Sequence, residues 1–348
     1  MPCCTKSSLP QTGQGSAREP DRRFCIAPML DWTDRHCRYW LRLLFPDALL
    51  YSEMVTTSAL LFGDVEKLIA FNPFEKPLAL QLGGNDPQAM ARCAKLAQAY
   101  GYDEANINVG CPSDRVQSGS FGACLMAQPD VVAECVSEMQ AVVNIPVTVK
   151  TRIGVDDMEG YEPLRKFITV LVEAGCKTVI VHARKAWLQG LSPRENREKP
   201  PLHYDYVYQL KQDFPELEVV INGGIKKIDD VIGHLRYVDG TMTGREAYQN
   251  PYALIDIGNA VFGRHSGVSD RADLVEGYLP YIESQLAAGV PLKHMTRHML
   301  GLYQGRPGAK QWRRHLSELA AKPGAGIDIV LQALQHVENS RSNNRSNE

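Results

Sequence analysis

Residues Glu104–Met126, EANINVGCPSDRVQSGSFGACLM, pass from an apolar alternation into a loop rich in glycine and serine. Ala105, Ile107 and Val109 recur with the period of two of a buried strand, which breaks at Gly110-Cys111-Pro112. Asn106 and Asn108 fall inside that strand, where an amide is costly to bury alone, so both need hydrogen-bond partners. Pro112 fixes the direction in which the chain leaves, and Gly119 and Gly122 let the following loop fold over whatever binds. A thiol just beyond the carboxyl end of a strand is held by rigid backbone yet within reach of a ligand. The stretch alone leaves two readings of Cys111 open, a reactive thiol and a small core hydrophobe.

Working outward, the same alternation of a short apolar run and a helical segment recurs. Runs at Phe24–Met29, Ala48–Met54, Pro77–Leu82 and Ala105–Gly110 are followed by Val147–Ile153, Thr178–Arg184, Glu218–Gly224 and Gly240–Arg245. Amphipathic stretches such as Asp86–Tyr100 and Asp130–Val143 lie between them, each opened by an acid and a proline-type helix start. Eight such units over roughly 240 residues predict an α/β fold, the (β/α)8 TIM barrel, spanning residues 23–263. A doubly wound sheet competes, but it would show GxGxxG after its first strand, where this chain has Ala27-Pro28-Met29. Beyond the flexible-looking segment Gly263–Arg271, helices are expected at Ala272–Ala288, Leu292–Tyr303, Ala309–Ala321 and Ile327–Val337. Glycine- and proline-rich turns separate them, so a small helical bundle is expected over residues 271–338, with disordered tails at 1–22 and 339–348.

Composition bounds the function. The chain has 348 residues and a formal net charge of −2, with ordinary hydrophobic content, so it is not a generally basic nucleic-acid binder. Its apolar runs are too short for a membrane span, and the first twenty residues lack a signal peptide's apolar core. Nine cysteines without a CxxC pair read as free thiols in a reducing cytoplasm, and Cys3 and Cys4 are assigned no structural role. His294 and His298 have metal-ligand spacing but no third ligand nearby, so they read as a polar helix face and no metal is expected. Charge is uneven, however. Lys293, Arg297, Arg306, Lys310, Arg313 and Arg314 fall within Lys293–Ser317, which contains no acid. Lys310, Arg313 and Arg314 begin a helix, where cations oppose the macrodipole, which points to a phosphate partner. Trp312 among them reads as a core residue of the bundle rather than a stacking platform.

A barrel of this kind carries its site at the carboxyl ends of its strands. Read there, the chain gives Met29, Glu53, Gln81, Asn108 with Cys111, Lys150 with Arg152, His182 with Arg184, Asn222-Gly223-Gly224 and Gly244-Arg245. Glycine pairs after the seventh and eighth strands, one with an arginine, favour a phosphate-bearing cofactor at the fold's usual phosphate site. Each pair alone also suits a tight turn. Lys150 near an isoalloxazine would stabilise the charge gained at N1 and O2 on reduction, while Gln81 could bond its pyrimidine edge. An ion pair for Lys150 and a satisfied core position for His182 remain the plain alternatives.

The segments APMLDWTDRHCR (27–38), NINVGCPSDRVQSGSFGACLM (106–126), VKTRIG (149–154), VHAR (181–184), INGGI (221–225) and TGREAYQNP (243–251) resemble the tRNA-dihydrouridine synthases. SPRENREKPPLHYDYVYQLKQDFP (192–215) is similar to their A subfamily, and the resemblance runs from about Phe24 to Leu319. It implies an FMN-containing barrel with a helical tRNA-binding domain. Uridines at positions 20 and 20a of the D-loop would be reduced across their 5,6 double bond, with NADPH as reductant. By the same resemblance FMN contacts fall on Ala27, Pro28, Met29, Gln81, Lys150, His182, Asn222, Gly223, Gly224, Gly244 and Arg245. The proton donor falls on Cys111, and tRNA contacts on Asn108, Arg194, Arg197, Lys310 and Arg313. The chemistry agrees: hydride at C6 of uracil leaves enolate-like charge at C5 and O4. An ordinary thiol, with a pKa of about 8.5, is mostly protonated at neutral pH and can protonate C5. Asn108 could hold the uracil edge. A flavin enzyme acting on a free pyrimidine is the rival, and the basic helical appendage argues against it. An RNA-binding module without catalysis is the third reading, and Cys111 with Lys150 argues against that. A monomer is expected.

Overall fold

Strands rich in Val, Ile and Leu, each followed by a helix that returns over them, can bury both faces only in a parallel sheet. Here that sheet closes on itself. The computed structural model describes residues 19–264 and 267–345. Outside it lie most of the expected N-terminal tail with Cys3 and Cys4, residues 265–266 of the Gly263–Arg271 segment, and the last three residues.

In chain order the barrel is built from β1 (Phe24–Ile26), α1 (Arg35–Leu44), β2 (Leu49–Thr56), α2 (Thr57–Phe62), α3 (Val65–Ile69), β3 (Leu78–Gly83) and α4 (Pro87–Tyr100). It continues through β4 (Glu104–Val109), α5 (Asp114–Ser118), α6 (Pro129–Gln140), β5 (Val147–Arg152), α7 (Glu162–Glu173) and β6 (Thr178–His182). α8 (Tyr204–Asp213), β7 (Glu218–Asn222), α9 (Ile228–His234), β8 (Gly240–Thr243) and α10 (Arg245–Gln249) complete it. Each strand pairs with the next, and β1 closes on β8 with Phe24 opposite Thr241 and Ile26 opposite Thr243. α4 shows the local logic: Asp86 caps it by accepting from the Ala89 N–H at 2.6 Å, Pro87 opens it, and Gly101 ends it at φ 87°.

The period of two divides the strands between two cores. Ala105, Ile107 and Val109 face the helices, whereas Cys25, Ala27, Leu49, Tyr51, Ala79, Ile180, Val220 and Met242 fill the barrel interior. C-terminal to the barrel lie α11 (Arg271–Ala287), α12 (Lys293–Thr296), α13 (Ala309–Leu319) and α14 (Ile327–Arg345). α11 and α12 pack on α1, where Tyr39 stacks on Tyr281 at 3.9 Å between ring centroids and Tyr278 donates to the His36 carbonyl at 2.9 Å, and α13 and α14 pack on each other beyond them.

Four expectations are corrected. Arg22, assigned to the tail, is buried, and its guanidinium bonds Glu104 at 2.8 Å and Glu218 at 2.7 Å on the barrel floor. The helix expected at Leu292–Tyr303 is confined to Lys293–Thr296 and gives way to turns, where Gly301 sits so close to the Gln249 carbonyl that a side chain would clash. α14 runs on to Arg345 rather than ending at Val337. His298 is not on a polar face. It is buried, with Nε2 at 3.0 Å from Asp34, and Arg297 pairs with the same carboxylate. Asp34 is held well below the usual carboxylate range: the His298 hydrogen bond and charge, the capping bond from Cys37 and Arg297 together outweigh its burial. Trp312 is a core residue as expected, donating its indole N–H to the Met299 carbonyl at 3.0 Å.

Candidate active site

At the mouth of the barrel the carboxyl ends of β3 to β7 bring Gln81, Asn108, Lys150, His182 and Asn222 together, because inward positions recur every second residue and adjacent strands are in register. Asn108 pairs with Lys150 in that register, and His182 with both Arg152 and Asn222. The partners that Asn106 and Asn108 require are present. Asn106 accepts from Gln81 and donates to Thr148, both at 2.8 Å, and Asn108 donates to Gln81 at 2.8 Å.

Cys111 is half-buried immediately beyond β4. Its backbone N–H and that of Gly110 donate to Asn108 Oδ1 at 3.0 and 3.2 Å, and its sulfur lies 3.5 Å from the Ser113 hydroxyl. The loop that carries it is more ordered than a glycine- and serine-rich stretch suggests. It contains α5 and a 3-10 turn at Gly122–Ala127, and Ala123 N–H donates to the Cys111 carbonyl at 2.9 Å. Gly122 has φ 76°, and a Cβ there would fall 2.6 Å from that same carbonyl, which is why only glycine closes the loop. Gln117 Nε2 donates to the carbonyls of Pro112 and Leu188 at 2.8 Å, tying this loop to the one after β6.

Arg152 provides the second tie. Its guanidinium donates to the Gly110 carbonyl at 3.0 Å and to the buried Asn196 carbonyl at 2.9 Å. Burial pushes Arg152 down to about 10. Lys150 is pushed down to about 8, first by burial and then by Arg152. Its Nζ lies 3.4 Å from Asn222 Oδ1, and no carboxylate pairs with it among the described residues. Burial and then the cations Arg152 and Lys150 hold His182 well below the ordinary imidazole range, so it is neutral at neutral pH. Lys150, Arg152 and Arg197 all lie within electrostatic reach of Cys111.

Beside them is a second cationic group. Arg184 and Arg197 are both lowered by burial and by Arg245, so three guanidiniums share one neighbourhood. Gly223 has φ 115° and lies against the His182 ring, and Tyr204 donates to its carbonyl at 2.7 Å. Arg184 Nε is buried without a hydrogen-bond partner. Like charges gathered around an orphaned donor suit an anion. Gly244 presents its missing side chain toward Ala27 and Met29, at 3.7 and 3.8 Å, so the ends of β8 and β1 form one wall. Pro28 stands between those two β1 residues. Glu198 accepts from Arg245 and lies 3.6 Å from Arg194. Arg194 and Arg197 are both exposed, and Arg245 and Cys111 lie within electrostatic reach of Arg197. Lys310 is exposed on α13, and Arg313 donates to the Gln304 side chain at 3.3 Å. Sequence reading singles out neither Glu198 nor Asn196, and it notes Arg152 and Arg184 at strand ends without giving them a role.

An exposed arginine–glutamate pair contributes no more than about 1 kcal/mol, whereas a guanidinium on a phosphate is worth about 2 kcal/mol or more. On the resemblance that puts FMN against Arg245, Arg245→Ala is expected to weaken flavin binding roughly thirtyfold. Glu198→Ala, which frees the same guanidinium, should strengthen it a few-fold at most. Titrating stripped protein with flavin by fluorescence quenching checks both signs. Equal weakening by the two variants would displace the anion from this group.

Amides, cations and a thiol convergent at the mouth of a closed barrel define an enzyme that handles an anion-bearing, hydrogen-bonding ligand next to sulfur chemistry. The family model for dihydrouridine synthase (Dus) matches residues 25–340. The tRNA-dihydrouridine(20/20a) synthase of Vibrio cholerae is 58% identical over 316 residues, covering 90% of this chain and 96% of that protein. The Escherichia coli K12 protein of the same name is 58% identical over 320 residues, covering 92% of each chain. Among solved structures, a 2-naphthoyl-CoA reductase complex superposes with a TM-score of 0.52 at 11% identity, over 70% of this chain and 50% of that one, a likeness of fold alone. The chain belongs to the dihydrouridine synthase family. It is a flavin-dependent oxidoreductase that converts uridine to dihydrouridine in tRNA.

Proposed function

We propose that this chain reduces the uridines at positions 20 and 20a of the tRNA D-loop, with FMN as its flavin and NADPH as the reductant. The position rests on the relatives, which are named for it over nearly their whole length. The observation that carries the chemistry is the placing of Cys111 beside Asn108 in a mouth lined by Gln81, Lys150 and His182. The arginine group fits a flavin phosphate: Arg245 and Arg184 would supply donors and charge, and the backbone of Gly223, Gly224 and Gly244 would approach it closely. Ala27, Pro28 and Met29 would line the ring's flank, Gln81 its pyrimidine edge, and Lys150 with Asn222 its anionic edge. His182, neutral, would bond without adding charge. When bound there, the flavin supplies hydride to C6 of the uracil.

The chain's own part is the proton. Cys111 gives its S–H proton to C5, forming the new C–H bond, and the charge left on sulfur lies within reach of Lys150, Arg152 and Arg197. Solvent then returns the proton to sulfur. Asn108 fixes the backbone of Cys111 through Oδ1 and keeps an Nδ2 proton for the base. The base must leave its stack to reach this depth. Seven free cysteines among the described residues suit the cytoplasm, and among those residues no helix is long and apolar enough to cross a membrane. We read the enzyme as a monomer that needs no metal. Mapping dihydrouridine in tRNA from cells lacking this protein tests the proposal: loss at positions 20 and 20a supports it, and unchanged modification there overturns it.

On the same reading, Lys310, Arg313, Arg194 and Arg197 contact tRNA. Lys310→Ala with Arg313→Ala should weaken tRNA binding and lower its salt dependence by up to about one unit of slope per lost phosphate contact. Flavin reduction by NADPH without tRNA should stay near normal. A salt titration with unchanged slope and affinity would place the docking surface elsewhere.

A further inference from the structure

Beneath the mouth, the inward side chains of β4 belong to one continuous run of hydrogen bonds that begins at the ion pair on the barrel floor. Arg22 Nε donates to Glu104 Oε2 at 2.8 Å, and Tyr51 and Thr148 donate their hydroxyl protons to Glu104 Oε1 at 2.7 and 2.6 Å. A hydroxyl has a single proton. Having given it to the carboxylate, Thr148 offers Asn106 only lone pairs, so Asn106 Nδ2 must face it, at 2.8 Å. The Asn106 oxygen then points the other way, to Gln81 Nε2 at 2.8 Å. Gln81 Oε1 is left to accept from Asn108 Nδ2 at 2.8 Å, and Asn108 Oδ1 to receive the N–H groups of Gly110 and Cys111.

By shape alone each of these three amides could sit either way round. A carboxylate at the floor, which only accepts, and the backbone N–H groups of Gly110 and Cys111 at the mouth, which only donate, leave one orientation for all three, so the two ends are coupled through the amides. Glu104 and Asn108 are four residues apart on one strand, about 13 Å, so the polarity set at the floor reaches the site itself. A buried ion pair adds little net stability over an apolar filling. Here its consequence is orientation.

We propose that Glu104, Thr148 and Asn106 are positioning residues: they fix which amide edge Gln81 and Asn108 present to flavin and uracil, and anchor the backbone of Cys111. The inference rests on the reading above that those two amides face the ligands. Uracil and the flavin pyrimidine edge both alternate donors with acceptors, so a reversed amide sets donor against donor. A misplacement of about 1 Å at a reacting centre can slow a reaction about a hundredfold.

Thr148→Val keeps the shape and breaks the relay. Thr178→Val is the matched control, because Thr178 donates to Glu218 at 2.8 Å on the same floor but outside the relay. In the full-length enzyme, Thr148→Val should slow single-turnover oxidation of the reduced protein by tRNA about tenfold to a hundredfold, with tRNA affinity near wild type. Amide hydrogen exchange at Gly110 and Cys111 should quicken by about tenfold or more. Thr148→Ser should restore both, and Thr178→Val should change neither while losing comparable thermal stability. Asn106→Thr interrupts the relay one link higher, away from the ion pair, and should repeat the phenotype if Thr148→Val does not fold. Equal slowing by Thr148→Val and Thr178→Val, or wild-type exchange at Gly110 and Cys111 in the relay variants, overturns the inference. A wild-type enzyme that leaves uridine unreduced would instead sink the parent reading, and the exchange measurement would still decide the relay.

Discussion

Cys111→Ala enzyme is expected to reduce uridine about 10²–10⁴-fold more slowly than wild type, the usual worth of a positioned general acid. The loss should be confined to the reductive step on tRNA. Nothing in the flavin group of residues bonds the Cys111 side chain, whose polar contact is the Ser113 hydroxyl, so flavin content should be unchanged. The loop should also keep its shape, because it is held through backbone atoms: Asn108 on the Cys111 N–H, Ala123 on its carbonyl and Arg152 on that of Gly110. Cys111→Ser retains a proton, but an alcohol is a far weaker acid than a thiol, and the variant should recover little. Cys124 is the internal control. It donates to the Phe121 carbonyl at 3.0 Å and burial pushes it up, so Cys124→Ala should be nearly silent. Single-turnover oxidation of the reduced enzyme by tRNA is the measurement. Wild-type speed in Cys111→Ala would leave water or another side chain as the acid.

What can be read in the chain without its structure is the part that depends on local pattern. The alternation in β4 places a strand, Gly110-Cys111-Pro112 ends it, and eight such endings locate a site rim that includes Gln81, Lys150 and His182. What cannot be read depends on partners remote in sequence. Arg22 sits beside a tail-like segment, and only Glu104, 82 residues on, makes it a floor residue. His298 looks solvated in the sequence because Asp34, which accepts from its neighbour Arg297 across 263 residues, is not visibly near. Glu198 is one acid among many in a charged segment until the fold brings Arg245 against it, 47 residues away. The loop after β4 departs from its composition for a different reason. Glycine there signals close backbone approach at Gly122, not slackness.

Lys150→Ala should be the second large loss, about 10²–10³-fold in turnover, because a preorganised charge facing developing charge in a buried site is worth that much. The pH dependence identifies the cause. Burial and Arg152 bring Lys150 down to about 8, so in protein without flavin its ammonium is charged below that pH and neutral above it. On the proposed function, the charged ammonium is the form that acts. Activity that depends on it is present below the folded pKa and is lost as pH rises through it. An anionic ring edge favours the ammonium, so flavin binding should move this limb to higher pH. The same shift has the opposite sign for stability. A lysine lowered from its ordinary value holds more protons unfolded than folded between about 8 and 10.5, so stability of the stripped protein rises with pH across that window. Lys150→Ala should abolish the alkaline limb of activity and this rise together, with Arg245-dependent flavin binding largely kept. Rates of flavin reduction by NADPH and thermal unfolding, each followed from about pH 7 to about pH 10, test the pair. An alkaline limb that survives in Lys150→Ala would assign it to another group.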